Sequence, residues 1–499
     1  MALLFNKLIS RQVVKVSVRY KHGKDHWSVV RKRKTVMDKA LEHFDDFYAS
    51  VYEDTWPDIR CALLEEESKY MAIVNNFSDT ERVRSNLELL GAINLKSLYN
   101  LRKEKLDAKA KRRAKIDTLQ IKNPEEVEIF KDKLTELQPV NLNNYRDLCE
   151  SLNAKRSELE KSDEQNEFVE LLSIDKNLNE VNLDHDRIVD PSVNLSSLQE
   201  YVPVTEIKGM DEWVMNSDHY KFYHKGEDFN INVEREFVLP FPEHLHAYSF
   251  EKGNKAIFPS AKKGSTGVSD YYLFDGGSIL PILALDIKLG DTVLDMCAAP
   301  GGKALTILQT LMPRLLVVND IKESKVNKIK MIMNQYTSDI YKGENMLIIK
   351  QGDARRIDET GVYNKILVDV PCTVDRHVLH SDVDNLFKPN RVKERLTIPT
   401  IQSEILLNAL KLVTVGGTVV YSTCTLSPVQ NDGVIQATLQ KAWQENDIVT
   451  VVKDMTKALL PLRYLYNFGK NNVKYGHIVI PTIQNNWGPM YFCKIVKVQ

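Results

Sequence analysis

The sequence predicts an α/β fold built on a parallel sheet of the Rossmann type, with a nucleotide-type pocket at the carboxyl ends of the strands. A short apolar run at 292–296 is followed by a turn of small residues at 298–302 (Ala-Ala-Pro-Gly-Gly) and then by a helical pattern. Four further apolar runs follow this unit. Asp320, Asp353 and Asp369 stand at the ends of three of them, so their carboxylates are expected to face one crevice.

The turn at 298–302 is the predicted ligand contact. Its two glycines lack Cβ, so the backbone can adopt unusual φ values and a ligand can lie against the main chain. The free N–H groups of the following helix, predicted at 304–311, face the same gap. The G-x-G-x-x-G spacing of dinucleotide sites and the P-loop spacing are both absent from the sequence. An isolated turn of this kind is usually only a turn, so the strands after it decide its meaning.

The later strands support a shared crevice. They are predicted at 314–320, 346–350, 365–369 and 418–425, the last after a helix at 401–413. Asp320 follows the glycine turn by about twenty residues, the spacing at which an acid accepts hydrogen bonds from a ribose diol. A single strand-end Asp is more often an ordinary turn residue. Three in register behind one glycine turn favour a binding site.

Three motifs in these strands resemble those of the Nop/Sun (NSUN) family of RNA cytosine-5 methyltransferases. They lie at 295–303 (Asp-Met-Cys-Ala-Ala-Pro-Gly-Gly-Lys), 369–373 (Asp-Val-Pro-Cys-Thr) and 421–432 (Tyr-Ser-Thr-Cys-Thr-Leu-Ser-Pro-Val-Gln-Asn-Asp). Further stretches look like the mitochondrial ribosomal-RNA branch of that family, and they lie at 56–60, 70–77, 271–278, 374–380 and 487–494. The resemblance covers roughly 40–95 and 240–499, and it implies an S-adenosylmethionine-dependent methyltransferase sheet.

The resemblance also assigns the cofactor contacts. The positions that match are Gly301, Gly302, Lys303, Asp320, Lys325, Asp353, Ala354 and Asp369. The glycines would approach the methionine part of S-adenosylmethionine, with Lys303 at the helix start. Asp320 would hold the ribose, Asp353 and Ala354 would meet the adenine, and Asp369 would lie beside the sulfonium. Relatives tend to carry Arg at the position of Lys325, which supplies charge without a bidentate fork.

Two cysteines carry the expected chemistry. A thiolate that adds to C6 of cytosine makes C5 nucleophilic, which is covalent catalysis. DNA cytosine-5 enzymes use the Cys of a Pro-Cys pair, here Cys372, whereas the RNA family uses the Cys of Thr-Cys, here Cys424, with Cys372 assisting product release. Asp369 would hydrogen-bond the cytosine edge. A site that binds RNA phosphate and a sulfonium cofactor is expected to have positive neighbours, which lower the thiol pKa. The alternative is two buried strand cysteines with no chemical role.

Bulk properties limit the remaining possibilities. A chain of 499 residues is too long for one compact core. The formal net charge is −1, so nucleic acid must be bound by local basic patches. The six cysteines include no C-x-x-C pair, which disfavours a zinc ribbon and a disulfide scaffold and suits a reducing compartment. We predict no metal site, and no apolar run approaches the length of a bilayer span.

The N-terminus predicts an address in the mitochondrial matrix. Residues 1–24 contain six Lys and Arg among apolar residues, and the first acid is Asp25, as in a transit peptide. The alternatives are a basic surface helix and a nuclear signal at 31–34 (Arg-Lys-Arg-Lys).

Composition divides the rest of the chain. We expect an N-terminal helical arm at 25–100, a charged helical insertion or linker at 101–200, a pre-core segment at 201–270 and the catalytic domain at 271–499. The insertion begins with a basic helix at 102–115, interpreted as a solvated face rather than an RNA surface because no aromatic residue is interleaved. A second basic cluster comprises Lys388, Arg391, Lys393 and Arg395, and phosphate contact and plain solvent exposure are equally plausible there.

The predicted function is methyl transfer to C5 of a cytidine in mitochondrial small-subunit ribosomal RNA, in support of ribosome assembly. The resemblance implies a helical-repeat partner of the mTERF type. Two other readings stay open: an rRNA-binding assembly factor whose catalysis is dispensable, and a transfer-RNA or small-molecule methyltransferase. Nothing in the sequence separates one RNA substrate from another.

Overall fold

The computed structural model describes residues 34–122, 231–337, 346–469 and 473–499. The predicted transit peptide at 1–24 lies outside the described residues, as does most of the predicted insertion. The strands are β1 Tyr70–Val74, β2 Ile93–Asn94, β3 Val233–Arg235, β4 Ala247–Ser249, β5 Tyr271–Asp275, β6 Thr292–Asp295, β7 Leu315–Asp320, β8 Leu347–Gln351, β9 Tyr363–Asp369, β10 Val413–Thr423, β11 Thr450–Asp454, β12 His477–Val479 and β13 Met490–Lys497. The helices are α1 Val36–Tyr52, α2 Trp56–Leu64, α3 Thr80–Leu89, α4 Leu95–Lys122, α5 Ile279–Ala284, α6 Gly302–Leu308, α7 Glu323–Tyr336, α8 Asp375–His380, α9 Val392–Leu412 and α10 Asp432–Asn446.

The larger sheet confirms the predicted fold class. Its strand order is β3-β11-β13-β10-β9-β6-β7-β8, with β12 paired to β13. The five strands from β10 to β8 are parallel to one another, and they are the five that the apolar runs predicted. On the other side, β13 runs antiparallel to β10, β11 and β12.

The strand order reverses at β6. From there the chain continues to β7 and β8 on one side, and then crosses back to β9 and β10 on the other. In open α/β sheets, ligands bind outside the carboxyl ends of the strands at such a reversal. The crevice between the ends of β6 and β9 is therefore the expected site.

Both faces of the sheet are covered, which explains why its strands appear as continuous apolar runs. Ile366 of β9 packs in a core with α1, α9 and α10, while the next residue, Leu367, packs in a second core with α5, α6 and α7. Successive side chains of a strand point to opposite faces, so one apolar run serves both cores.

The N-terminal arm is not all helical, and this part of the prediction is wrong. The buried apolar residues of β1 pair with β4 and β5 in a separate antiparallel sheet of order β2-β4-β1-β5. A short apolar run fits a strand as well as a helix until its partner strands are known. The predicted basic helix at 102–115 is confirmed as part of α4. Helix α4 begins at Leu95, and no Gly or Pro interrupts it. The domain boundary predicted at residue 100 therefore falls inside this helix.

Helix α1 has the predicted apolar face. Thr35 and Asp38 form a capping box at its start, with Asp38 N–H to Thr35 Oγ1 at 3.1 Å and Thr35 N–H to Asp38 Oδ2 at 2.8 Å. Phe44, Tyr48 and Tyr52 are buried along one side. This side packs against α8, the short helix just beyond Cys372, so the arm contacts the predicted active site directly. Within the ranges given above, no helix is long and apolar enough to cross a membrane.

Candidate active site

The glycine turn has the backbone geometry that a close ligand requires. Gly301 precedes α6 with φ +115°, a conformation that strains any residue with a Cβ. Gly302 is required for a different reason, because a Cβ there would lie 3.0 Å from the ring of Tyr272 and 3.1 Å from that of Phe274. Tyr272 and Phe274 of β5 therefore lie directly against the turn.

Asp369 is held at the end of β9 by two side chains. Its Oδ2 accepts from Lys303 Nζ at 2.8 Å, and its Oδ1 accepts from Ser422 Oγ at 2.8 Å. The Lys303 side chain is only 12% exposed. Burial opposes its charge, but the neighbouring Asp369 carboxylate outweighs burial and raises the pKa of Lys303. Lys303, at the start of α6, therefore forms an ion pair with Asp369, the carboxylate predicted to be catalytic.

The two cysteines lie next to each other, close to the Asp369–Lys303 ion pair. In the parallel register Asp369 lies beside Ser422, and the chain leads from these residues to Cys372 and Cys424. Their Sγ atoms are 3.2 Å apart. Cys372 is buried and Cys424 is partly buried, and both are free thiols. The structure thus brings together the three residues predicted to be catalytic.

The expected lowering of the Cys424 pKa is not produced by the protein's own groups. The hydrogen bond with Cys372 and burial raise the pKa of Cys424 well above its ordinary value, and the Asp369 charge adds to the rise. Only Lys303 among the contributing groups acts in the opposite direction. Enclosure between a second thiol and a carboxylate disfavours the thiolate, an effect that cysteine spacing cannot predict.

The acids predicted for the cofactor differ in their surroundings. Asp320 lies at the turn, where its Oδ2 accepts from Ala299 N–H at 3.3 Å. The Asp353 carboxylate is bound by the guanidinium of Arg355 at 2.7 Å, and these hydrogen bonds lower the pKa of Asp353. Ala354 is buried beside it. The predicted contact with adenine stays a prediction for both residues.

Lys325 lies in the first turn of α7 and is half-buried. In the described part of the chain it forms no ion pair. Burial and the nearby carboxylates raise the pKa of Cys297 well above its ordinary value, and the charge of Lys325 opposes that rise. Its side chain is therefore near the turn, consistent with the predicted position.

One acid of the site was missed from the sequence. Asp295 ends β6 fully buried, and neither of its carboxylate oxygens has a hydrogen-bond partner among the described residues. Burial and the Asp369 charge raise its pKa to about 8, against the opposing charge of Lys303. A buried carboxyl group without a partner is costly, so it is an expected counterpart for a cationic ligand. S-adenosylmethionine carries a sulfonium and an ammonium, so the residues present fit it. The position of Asp295 at the end of β6 is the signal by which the sequence could have revealed it.

A buried hydrogen-bond network joins the two cysteine loops to the arm. Asp375 accepts from Thr373 Oγ1 in the first loop, from Leu426 N–H in the second and from Tyr48 Oη of α1, each at 2.8 Å. Thr373 and Thr425 also contact each other at 3.0 Å. We call this set the loop network. Sequence reasoning missed it, because Tyr48 fits an ordinary core position of an amphipathic helix.

The two histidines of α8 bond to the main chain. His377 Nε2 lies 2.8 Å from the Val383 carbonyl oxygen, and His380 Nε2 lies 2.7 Å from that of Leu63. In the residues that the structure covers, no group of three His, Cys, Asp or Glu side chains is arranged to hold a metal ion.

Comparison with known proteins points to one class of enzyme. Residues 282–474 match the family model described as 16S rRNA methyltransferase RsmB/F. The chain is 31% identical to the 5-cytosine rRNA methyltransferase nsun-4 of Caenorhabditis elegans over 475 residues, covering 93% of each chain. It is 30% identical to the 5-cytosine rRNA methyltransferase NSUN4 of Xenopus laevis, covering 95% of this chain and 94% of the relative. It is also 34% identical to the mitochondrial tRNA (cytosine(34)-C(5))-methyltransferase of Danio rerio, over 48% of this chain and 64% of that protein.

Proposed function

This chain belongs to the NSUN family of S-adenosylmethionine-dependent RNA cytosine-5 methyltransferases, and we propose that it methylates C5 of a cytidine in mitochondrial small-subunit ribosomal RNA. Ribosomal RNA is favoured over transfer RNA because the match to rRNA enzymes extends over nearly the whole of both chains. The match to the mitochondrial tRNA enzyme covers about half of this one. A mitochondrial location is supported by the composition of residues 1–24.

The observation that carries the proposal is the pair of thiols, 3.2 Å apart, beside the Asp369–Lys303 ion pair. A single active cysteine would suffice for attack on C6, but release of the product is a separate task. After methyl transfer, a proton must leave C5 and the C6–S bond must break. Two adjacent cysteines allow these tasks to be divided.

We assign the attack to Cys424. Its thiolate adds to C6, and the electrons of the C5–C6 double bond become available at C5 for the methyl group. In the release step, the electrons of the C5–H bond restore the double bond, and the C6–S pair returns to the Cys424 sulfur. We assign Cys372, whose Sγ lies 3.2 Å from that of Cys424, as the base of this step, and its thiolate accepts the C5 proton. Asp369, fixed by Lys303 and Ser422, is positioned to hydrogen-bond the cytosine edge.

The cofactor supplies an electrophilic methyl group when it is bound. Gly301 and Gly302 provide the close backbone approach, and Asp320 provides a carboxylate at the same turn. Asp295 provides a buried carboxyl group whose charged form a bound cation would favour. Lys325, Asp353 and Ala354 are assigned to the outer part of the pocket on the resemblance alone. A role in mitochondrial ribosome assembly and an mTERF-type partner belong to this proposal as implications of the family.

The test is a denaturing-gel assay for RNA–protein adducts, combined with mass spectrometry for 5-methylcytidine. Wild type, Cys372→Ala and Cys424→Ala are incubated with cofactor and either mitochondrial small-subunit rRNA or mitochondrial tRNA transcripts. Cys61→Ala is the matched control, because Cys61 is an exposed free thiol on α2, outside the cysteine pair. We expect an adduct that accumulates in Cys372→Ala, disappears in Cys424→Ala and behaves as wild type in Cys61→Ala, with rRNA as the preferred substrate.

Other results would change specific parts of the proposal. The reverse cysteine pattern would make Cys372 the nucleophile, as in the DNA enzymes. Methylation of tRNA alone would replace the proposed substrate. If Cys424→Ala abolishes methylation but still supports ribosome assembly in cells, the chain acts as an assembly factor whose catalysis is dispensable.

A further inference from the structure

A small pocket opens beside the first cysteine loop, between α1 and the first turn of α9. Its polar wall includes Thr373, the residue after Cys372, and Gln430, whose side-chain oxygen accepts from Thr373 N–H at 3.2 Å. Its other walls include His43, Phe387 and Arg395. We call it the Arg395 pocket. Helix α9 leads into β10, so its first turn lies at the carboxyl end of the sheet, on the side where the cysteines emerge.

Arg395 is the unusual member of this pocket. Its guanidinium lies over the ring of Phe387, 4.4 Å from the centroid. Its Nε is buried with no hydrogen-bond partner, and no carboxylate of the described chain pairs with it. Burial lowers the pKa of Arg395, and no neighbouring charge offsets this effect. A half-buried cation without an acid is unfavourable for the free protein, which indicates that its partner comes from outside.

The other basic residues of the same cluster do not share this property. Arg391, one helical turn earlier, forms an ion pair with Glu394 at 2.7 Å and also contacts the Asp384 carbonyl oxygen. Lys393 is exposed to solvent, and Lys388 is partly exposed. The four residues that the sequence presented as one basic cluster are therefore not equivalent, and Arg395 alone points into the pocket.

The arm helix fixes the aromatic support of Arg395. Phe387 lies 5.4 Å from Phe44 in an edge arrangement and 5.3 Å from the ring of His43. Burial and the Arg395 charge lower the pKa of His43 to about 4, so this imidazole is neutral at physiological pH. The positive charge of the pocket thus belongs to Arg395. A guanidinium stacked on a ring keeps its in-plane N–H groups free for a phosphate.

We propose that the Arg395 pocket binds a backbone phosphate of the RNA strand next to the target cytidine. The proposal rests on the proposed function and deepens it by naming the group that receives the flanking strand. A target cytosine must leave its stack to reach the cysteines, so the adjacent backbone has to be held close to the loop that carries Cys372. Phosphate contacts position an RNA without selecting its bases. Arg395 therefore contributes register and affinity rather than sequence preference.

The test compares RNA binding by Arg395→Gln, Arg395→Lys and wild type across a salt series. The matched control is the double variant Arg391→Gln/Glu394→Gln, which removes a neighbouring Arg together with its acid and leaves net charge unchanged. For Arg395→Gln we expect roughly tenfold weaker binding at low salt and a slope of log K against log salt that is smaller by about 0.7. Arg395→Lys should restore the slope but only part of the affinity. The control should retain the wild-type slope.

Activity separates this proposal from the proposed function. With Arg395→Gln, KM for RNA should rise while kcat and the trapped adduct at saturating RNA stay near wild type. A wild-type slope for Arg395→Gln, or an equal change in the control, would overturn the phosphate assignment even if methylation is fully confirmed. If no form methylates RNA, the salt series still reports on the pocket.

A second measurement needs no variant. RNA carrying 4-thiouridine beside the target position is photocrosslinked to wild type, and the peptides are identified by mass spectrometry. Crosslinks within 386–399 or 43–48 are expected, whereas crosslinks confined to other segments would refute the placement. This result stands even if Arg395→Gln folds poorly.

Discussion

Replacing Tyr48 by Phe tests whether the N-terminal arm supports catalysis through the loop network. Tyr48 is 1% exposed and donates to Asp375 Oδ2 at 2.8 Å, so the substitution removes one hydroxyl from a closed site. Asp375 keeps the donors Thr373 Oγ1 and Leu426 N–H. The loss is one hydrogen bond to a charged group, about 1.5–3 kcal/mol of unfolding free energy, together with the longer 3.3 Å contact between Tyr48 Oη and Thr425 Oγ1.

The pH dependence of this loss has a definite sign. Burial raises the pKa of Asp375 above its ordinary value, and the bond from Tyr48 is one of those that act to lower it. Removing that bond raises the folded-state pKa further, so the cost of burying the carboxylate grows above that pKa. Below it the carboxyl group is neutral in both proteins, and the stability deficit of Tyr48→Phe should shrink as the pH falls.

The assay combines thermal unfolding at two pH values with single-turnover methylation. Because Asp375 joins the Thr373 and Leu426 loops, we expect kcat to fall roughly tenfold or more, since displacements well under 1 Å matter at a reacting centre. The matched control is Tyr52→Phe, which removes a bond from the same helix to the neutral Leu426 carbonyl oxygen at 2.8 Å. That variant should lose only about 0.5–1.5 kcal/mol. Equal effects of the two variants, or wild-type kcat in Tyr48→Phe, would refute the role of the network.

Three further predictions concern the cofactor turn, the ion pair and the N-terminus. Gly301→Ala places a Cβ at φ +115°, and about 1–3 kcal/mol of strain should weaken cofactor binding about tenfold or more by calorimetry, while Cys61→Ala binds as wild type. Lys303→Met removes a charge that lowers the Cys424 pKa, so the pH profile of adduct formation should move to higher pH, and an unmoved profile would contradict the assigned electrostatics. Residues 1–24 fused to a fluorescent protein should direct it to mitochondria, whereas a fusion of residues 1–34 that enters the nucleus would indicate the basic run at 31–34 instead.

Much of the site was accessible from the sequence because its signals are local. Buried parallel strands require unbroken apolar runs, and a ligand turn requires glycine, so β6 to β10 and Gly301 could be located without a structure. The two cysteines were identified by their motifs, which also predicted their place at strand ends. Asp295 has the same kind of signal, because it ends the strand that leads into the glycine turn.

The sequence by itself determined the fold class, the crevice and the chemical groups in it, because each depends on residues that are neighbours along the chain. Only the tertiary structure decided which groups became partners. Tyr48 and Asp375 are 327 residues apart and meet because an apolar helix face packs on α8. The same packing places Phe387 under the guanidinium of Arg395, which has no acidic partner among the described residues. Arg391, by contrast, forms an ion pair with Glu394, three residues along the chain. The pairing of β9 with β10 encloses Cys424 between a thiol and a carboxylate, and burial adds to their effect in raising its pKa. Burial and distance govern charge in a protein, and both exist only after the chain has folded.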